Sequence, residues 1–225
     1  MEAVDLYCER IGPSLWGEPL NATTNAALLL AAWLSWRYAR RSNAATGGVL
    51  LLIALVTAFG IGSTLFHTFA NTITRWLDVL PIAAFMTAYV WLYLRRVLRA
   101  SAAVATISTA AFVAVVAAAR QFHDILNGSL FYAPAFVVLI GIGLAHLLTA
   151  QHERRALIGA AGALLAAIVF RTIDNSVCTA FPIGTHFLWH LLAALTVYLA
   201  MRALIANWPT AKPVDGDSGV SNVGD

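Results

Sequence analysis

The sequence predicts an all-α integral membrane protein: a bundle of seven transmembrane helices with its N-terminus outside and its C-terminus in the cytoplasm. Three observations carry this expectation. Apolar residues make up 60% of the chain and charged residues only 11%, less than half of the roughly 25% found in soluble domains. Mean hydropathy is +0.76. The apolar residues also fall into seven long runs bounded by charged or turn residues, each close to the roughly 20 residues a helix needs to cross the hydrocarbon core. This composition excludes a soluble enzyme, a disordered protein and a nucleic-acid-binding domain. The sequence pI near 9.1 does not point to nucleic acid, because the basic residues serve as topology markers.

The predicted spans are 22–38, 48–67, 75–94, 102–119, 129–149, 156–173 and 185–206. The fourth and sixth are rich in Ala and Gly, which suits close helix contact in lipid. No internal repeat is visible, so an inverted-repeat transporter is not suggested. The start, Met1-Glu2-Ala3-Val4-Asp5, lacks the basic region of a cleaved signal, so residues 1–21 are expected to form an outer N-terminal segment of the mature chain. Residues 22–206 form the transmembrane domain. Residues 207–225, polar and rich in Gly, Ser and Asp, are expected to be a disordered cytoplasmic tail.

Orientation follows from the basic residues. With the N-terminus outside, the inner segments carry Arg37, Arg40, Arg41, Arg95, Arg96, Arg99, Arg154, Arg155, Arg202 and Lys212, against Arg10, Arg75, Arg120 and Arg171 outside. This topology sorts the polar residues by depth. Ser63 and His67 at the end of the second span, Asp78 at the start of the third, and His186 and His190 at the start of the seventh all fall in one layer near the outer face.

Ionisable groups inside a span are costly and mark functional sites. His186 and His190 are four residues apart on one helical face, a spacing that presents two ring nitrogens to one metal ion. His67 supplies a third. Three histidines leave the fourth tetrahedral position of zinc open to water, as in catalytic sites. Asp78 beside such a water suits a general base, and Ser63, one turn before His67, suits an oxyanion donor. Simpler roles exist for each: Ser63 as a small residue in a tight helix contact, Asp78 as a partner of Arg75 or a helix-dipole charge, His67 as an interfacial residue. Of the other histidines, His146 and His152 fall toward the inner face, and His123 in the outer loop after the fourth span is the one rival ligand.

The series Gly62-Ser63-Thr64-Leu65-Phe66-His67, Leu77-Asp78-Val79-Leu80-Pro81 and His186-Phe187-Leu188-Trp189-His190 resembles the alkaline ceramidases and their wider superfamily of seven-span metal-dependent hydrolases, which includes the adiponectin and progestin receptors. The segments Tyr7-Cys8-Glu9, Glu18-Pro19-Leu20-Asn21, Asn25 and Ile173-Asp174-Asn175-Ser176-Val177-Cys178 are more similar to ceramidases than to receptors. The resemblance implies zinc on His67, His186 and His190, with Ser63 and Asp78 completing the site. It also implies a calcium site in the N-terminal segment, where Glu9 and Glu18 match acidic positions. Leu6, Tyr7, Arg10 and Ile11, however, replace an aspartate, a tryptophan, an acidic residue and an asparagine of the family pattern. Calcium needs hard oxygen ligands, and the alternative for Glu9 and Glu18 is to cap or hydrogen-bond the first span. The resemblance further implies a disulfide between Cys8 and Cys178; two free buried thiols are the alternative.

The function expected is zinc-dependent hydrolysis of a lipid amide, ceramide or a related N-acyl lipid, in a bacterial cytoplasmic membrane with the site near its outer face. The partner is a membrane lipid substrate, with no nucleic acid and no obligate protein partner. The alternatives are a lipid esterase of the same superfamily, or a seven-helix sensor with a structural zinc whose closed shell takes a fourth protein ligand. A channel ranks last, because the inner halves of the spans show no polar track.

Overall fold

The structure is a computed structural model that describes residues 4–12, 15–150 and 152–209. Its elements are α1 (Pro19–Thr24), α2 (Ala26–Arg41), α3 (Gly47–Phe69), α4 (Thr72–Arg96), α5 (Ala102–Arg120), a 3₁₀ segment (Ile125–Tyr132), α6 (Ala133–Thr149), α7 (Ala156–Val177) and α8 (His186–Ala206). All regular structure among the described residues is helical. Six of these helices, α3 to α8 with the 3₁₀ segment joined to α6, are long and apolar enough to cross a membrane.

The first predicted span differs most. It folds as two pieces meeting at Asn25, and α2 alone has 16 residues, about 24 Å of helix. The cause is its composition. Arg37, Arg40 and Arg41 crowd its end, while Asn21 and Asn25 stand at its start. Asn25 keeps helical angles, and its side-chain amide donates to the Asn21 carbonyl at 2.9 Å. The fifth predicted span also begins differently, in the 3₁₀ segment, where Leu126, Asn127 and Gly128 all have positive φ.

Consecutive helices from α2 to α8 pack side by side, and α8 returns to α2, so the bundle closes into a ring. Burial follows the sequence pattern. On α5 only Ala105, Thr109, Phe112 and Val116 are buried, a single stripe at helical spacing. On α8 buried residues occur on nearly every face. Large apolar side chains such as Leu30, Trp33, Leu51, Ile61, Ile107 and Val137 project outward, as lipid-facing positions should.

The α3–α4 hairpin fixes one end of the bundle. Ala70, in the left-handed region, ends α3. Asn71 then caps α4 by accepting from the Ile73 and Thr74 amides at 3.0 and 3.1 Å, while the Thr74 hydroxyl accepts from the Asn71 amide. Pro81 lies inside α4 and has no N–H for the Leu77 carbonyl four residues back. Gly62 of α3 lies against that carbonyl. A Cβ at Gly62 would stand 2.0 Å from Leu77 O and 3.1 Å from Asp78 N, so only glycine lets the two backbones meet here.

Residues 207–209 of the predicted tail are described by the structure. Asn207 and Trp208 belong to the bundle: Trp208 is buried in the core, and the Arg96 guanidinium stands over its ring at 5.7 Å. An indole at this position gains more by packing against Gly48 and Leu92 than by facing water. The rest of the predicted tail, residues 210–225, lies outside the described residues. The N-terminal segment also packs on the helices. Its Tyr7, Glu9 and Glu18 are buried in the mouth of the ring, and α1 starts within it.

Candidate metal centre

Three helix ends build the centre. His67 comes from the last turns of α3, His186 and His190 from the first two turns of α8, and all three are at most 2% exposed. Their ring centroids lie 4.7–5.2 Å apart. One nitrogen from each ring lies within 4.8 Å of the others.

Each ring is held from behind. His67 Nδ1 pairs with Glu18 Oε2 at 2.5 Å, and His190 Nδ1 with the Thr24 hydroxyl at 3.0 Å. Tyr7 stacks on His186 at 3.6 Å between centroids and 15° between planes. These contacts leave His67 Nε2, His190 Nε2 and His186 Nδ1 buried with no hydrogen-bond partner. Unsatisfied buried polar atoms are rare, and each costs about 1–3 kcal/mol. Three in one cluster, each a neutral-imidazole lone pair or an undonated N–H, fit a cation held between them. An all-imidazole donor set suits zinc, copper, iron or nickel rather than magnesium or calcium. The Glu18–His67 contact is the carboxylate–histidine pairing that orients metal ligands.

Ser63 is buried one turn before His67, and its hydroxyl faces the Asp78 carboxylate. Asp78 Oδ1 is buried and unpartnered. The Gly62–Leu77 contact is what brings Ser63 and Asp78 together across the hairpin. No ion pair to Arg75 occurs among the described residues, because Arg75 points outward from α4 and is exposed. His123 is exposed and pairs with Asp124 at 3.3 Å, so it is no fourth ligand. His146 is buried at the opposite end of the bundle, bonded to the Tyr93 hydroxyl and, at 3.0 Å, to the Glu153 carbonyl.

Glu9 and Glu18 are committed to the protein. The Glu9 oxygens accept from the Leu20 and Asn21 amides at 2.6 and 2.7 Å, satisfying amides that α1 leaves unpaired at its start. Glu18 receives Arg10 Nε on Oε1 at 2.5 Å, and Asn21 Nδ2 with His67 on Oε2. Burial acts to raise the Glu18 pKa. The hydrogen bond from His67 and the charge of Arg10 outweigh it and hold the carboxyl below its ordinary value. This arrangement does not fit the calcium ion that the resemblance implies.

Cys8 and Cys178 form a disulfide with Cα atoms 5.3 Å apart, pinning the N-terminal segment to the end of α7. Asp174 completes that joint. It accepts from the Cys8 amide at 3.0 Å and from the Thr185 and His186 amides at 2.6 and 2.9 Å. Gly184, at φ +68°, passes so close that a Cβ would stand 2.2 Å from Asp174 Oδ1. Arg171 of α7 donates to Asn127 O at 2.6 Å and Ser129 Oγ at 3.0 Å, and sits over the rings of Tyr7, Tyr132 and Trp189. The sequence reading assigned no role to Thr24, Asp174 or Arg171 in the site. Asp174 and Arg171 carried a signal, as ionisable residues near the end of an apolar run. Thr24 and the stacking of Tyr7 carried none.

Deeper in the bundle, from Phe59, Ile82 and Trp189 down to Tyr89 and Ala200, the helices line a partly open cavity of about 90 Å³ with an almost wholly apolar lining.

A helical ring of membrane-crossing length, with a buried three-histidine cluster and a carboxylate at one end and an apolar cavity beneath, defines a multi-pass membrane protein with a candidate metal centre. The family model described as Ceramidase matches residues 7–211, and the chain belongs to that family. A search of curated proteins gives no match.

Proposed function

We propose that the chain is a zinc-dependent hydrolase that cuts a lipid amide inside the membrane, with ceramide or a related N-acyl lipid as substrate. Its setting is a seven-helix bundle with the N-terminus and site at the outer face of a bacterial cytoplasmic membrane. The observation that carries the reading is the trio of unpartnered buried nitrogens on His67, His186 and His190, beside Asp78 and above the apolar cavity. Family membership supports the ceramide-cleaving activity. The arginines at the opposite end of the bundle support the orientation under the positive-inside rule.

What zinc supplies, held by the three histidines, is Lewis acidity toward the amide carbonyl and toward water. Asp78 accepts a proton from the attacking water on its unpartnered Oδ1 and delivers it to the amine nitrogen as the C–N bond breaks. Ser63, beside Asp78, donates a hydrogen bond to the carbonyl oxygen as negative charge develops there. The cavity lined by Phe85, Met86, Leu139 and Val197 takes the acyl chain and excludes water. A sensor with a closed zinc shell is less well supported, since His123, the candidate fourth ligand, stands at the surface.

The test is metal analysis of purified protein together with hydrolysis of an N-acyl sphingoid base. Wild type is expected to carry about one zinc per chain, His67→Ala to lose both metal and turnover, and Asp78→Ala to keep the metal while losing turnover. Wild-type protein that binds no divalent metal, or an Asp78→Ala variant with full activity, would overturn the reading.

A further inference from the structure

We propose that Arg10 is a built-in cation: its guanidinium stands in place of the calcium ion implied for this segment and, through Glu18, fixes His67 for metal binding. The inference rests on the reading of the three histidines as a metal centre. Among the described residues, every hydrogen bond of the guanidinium goes to an oxygen. Nε donates to Glu18 Oε1 at 2.5 Å, Nη2 to the His67 carbonyl at 3.0 Å and Nη1 to the Gly12 carbonyl at 3.3 Å. Carboxylate and carbonyl oxygens are what a hard divalent cation selects, and calcium wants six to eight of them. Here the Glu9 oxygens are both taken by backbone amides, and Glu18 is held between Arg10, Asn21 and His67. The Arg10 side chain is 4% exposed and that of Glu18 1%. A divalent ion brought to these oxygens meets a fixed positive charge in a poorly screened pocket.

The His67 carbonyl lies in the last turn of α3, where helix carbonyls lack intrahelical donors and the dipole favours a cation. Arg10 therefore answers two needs at once. It neutralises the buried Glu18 carboxylate that orients the His67 ring, and it closes the backbone of His67 itself. His67 is held at its ring and at its carbonyl by one connected pair of charges. Arg10 is a positioning residue in this account, since it meets the metal site only through Glu18 and the His67 backbone.

The experiment compares wild type, Arg10→Ala and Arg10→Glu for zinc affinity by chelator competition and for thermal unfolding with calcium or a calcium chelator. About 1 mM calcium covers the range of extracellular sites. Wild type is expected to show no calcium-dependent shift in Tm and no retained calcium. Arg10→Ala is expected to lose about 10–100-fold in zinc affinity, the usual effect of removing an outer partner. Arg10→Glu restores an oxygen ligand beside Glu18, and its Tm and zinc affinity are expected to rise with calcium but not with magnesium, a response that a packing role alone does not give. Calcium binding by the wild type overturns the proposal. So does unaltered zinc affinity in Arg10→Ala, or a folded Arg10→Glu chain indifferent to calcium. Wild-type protein that binds no zinc fails the three-histidine reading instead, and the calcium response still decides the place of the guanidinium.

Discussion

Replacing Gly62 with alanine is expected to cost stability and most of the turnover while leaving the metal in place. A Cβ at position 62 would stand 2.0 Å from Leu77 O and 2.6 Å from Leu77 C. Both atoms are backbone, so no side chain can swing away. Reaching the 3.4 Å of ordinary contact requires α3 and α4 to part by about 1.4 Å at this level. Overpacking of that kind costs about 1–3 kcal/mol. The same displacement carries Ser63 away from Asp78, and a shift of about 1 Å in a reacting group costs on the order of 100-fold in rate. His67 sits on the same helix as Gly62 and meets α8 from its other side, so zinc affinity should change far less than turnover. The assay is thermal unfolding, zinc content and N-acyl-sphingoid hydrolysis on one set of samples. Gly162→Ala in α7 is the control: a Cβ there meets nothing within 4 Å, and helix propensity alone favours it by up to about 1 kcal/mol. A Gly62→Ala enzyme with wild-type Tm and turnover would refute the claim that this contact sets the catalytic spacing.

Four further outcomes are expected. Glu18→Gln removes the charge behind His67 and should weaken zinc binding by about 10–100-fold, read by chelator competition; unchanged affinity would detach Glu18 from the metal. Cys178→Ser, or reduction of the disulfide, opens a link spanning 170 residues and should cost about 2–5 kcal/mol; thermal unfolding with and without reductant measures it, and zinc should also leave faster as Tyr7 and Glu18 loosen. Thr24→Val takes the partner from His190 Nδ1 and should lower zinc affinity with little change in Tm. Ile142→Trp narrows the deeper part of the cavity and should raise KM for long acyl chains more than for short ones; an equal effect on both would remove the cavity from substrate binding.

The sequence made the spans legible because the bilayer leaves few alternatives. A run such as Val49–Phe59 can satisfy its backbone in lipid only as a helix, and α3, α4, α5, α7 and α8 start within three residues of their predicted positions. The first span is harder to read, because it holds Asn25 and Arg37 and is flanked by Asn21 and by Arg40 and Arg41, so length and hydropathy disagree. At the candidate site, helical periodicity plus topology gave the layer containing Ser63, His67, Asp78, His186 and His190. The residues behind that layer were less accessible. Thr24 reaches His190, and Tyr7 reaches His186, across separations of more than 160 residues, which no local pattern encodes. Glu9 and Glu18 were noticed as acidic residues, but a carboxylate that binds calcium and one that accepts from amides or an imidazole look the same in sequence.

That last ambiguity has a physical resolution in the charges around the mouth of the ring. The segment from Tyr7 to Glu18 brings two carboxylates into a place almost without water, and a buried carboxylate must be paired, hydrogen-bonded or neutralised. Glu9 meets the condition by accepting two amides at the start of α1. Glu18 has a heavier task, since it must stay ionised to hold His67 in the tautomer that frees Nε2. An adjacent cation makes that possible, and the chain provides one at Arg10 from within the same short segment. The disulfide and Asp174 then anchor the segment to α7 and α8, so the groups behind His67 and His186 are fixed by a covalent bond to α7 and by hydrogen bonds that reach the start of α8 through Asp174. A site whose outer partners come from a loop needs such anchoring, because an unanchored loop would let the ligands rotate and the metal affinity fall. The N-terminal segment is therefore part of the metal centre in the mechanical sense, and its loss should abolish zinc retention even though it contributes no ligand.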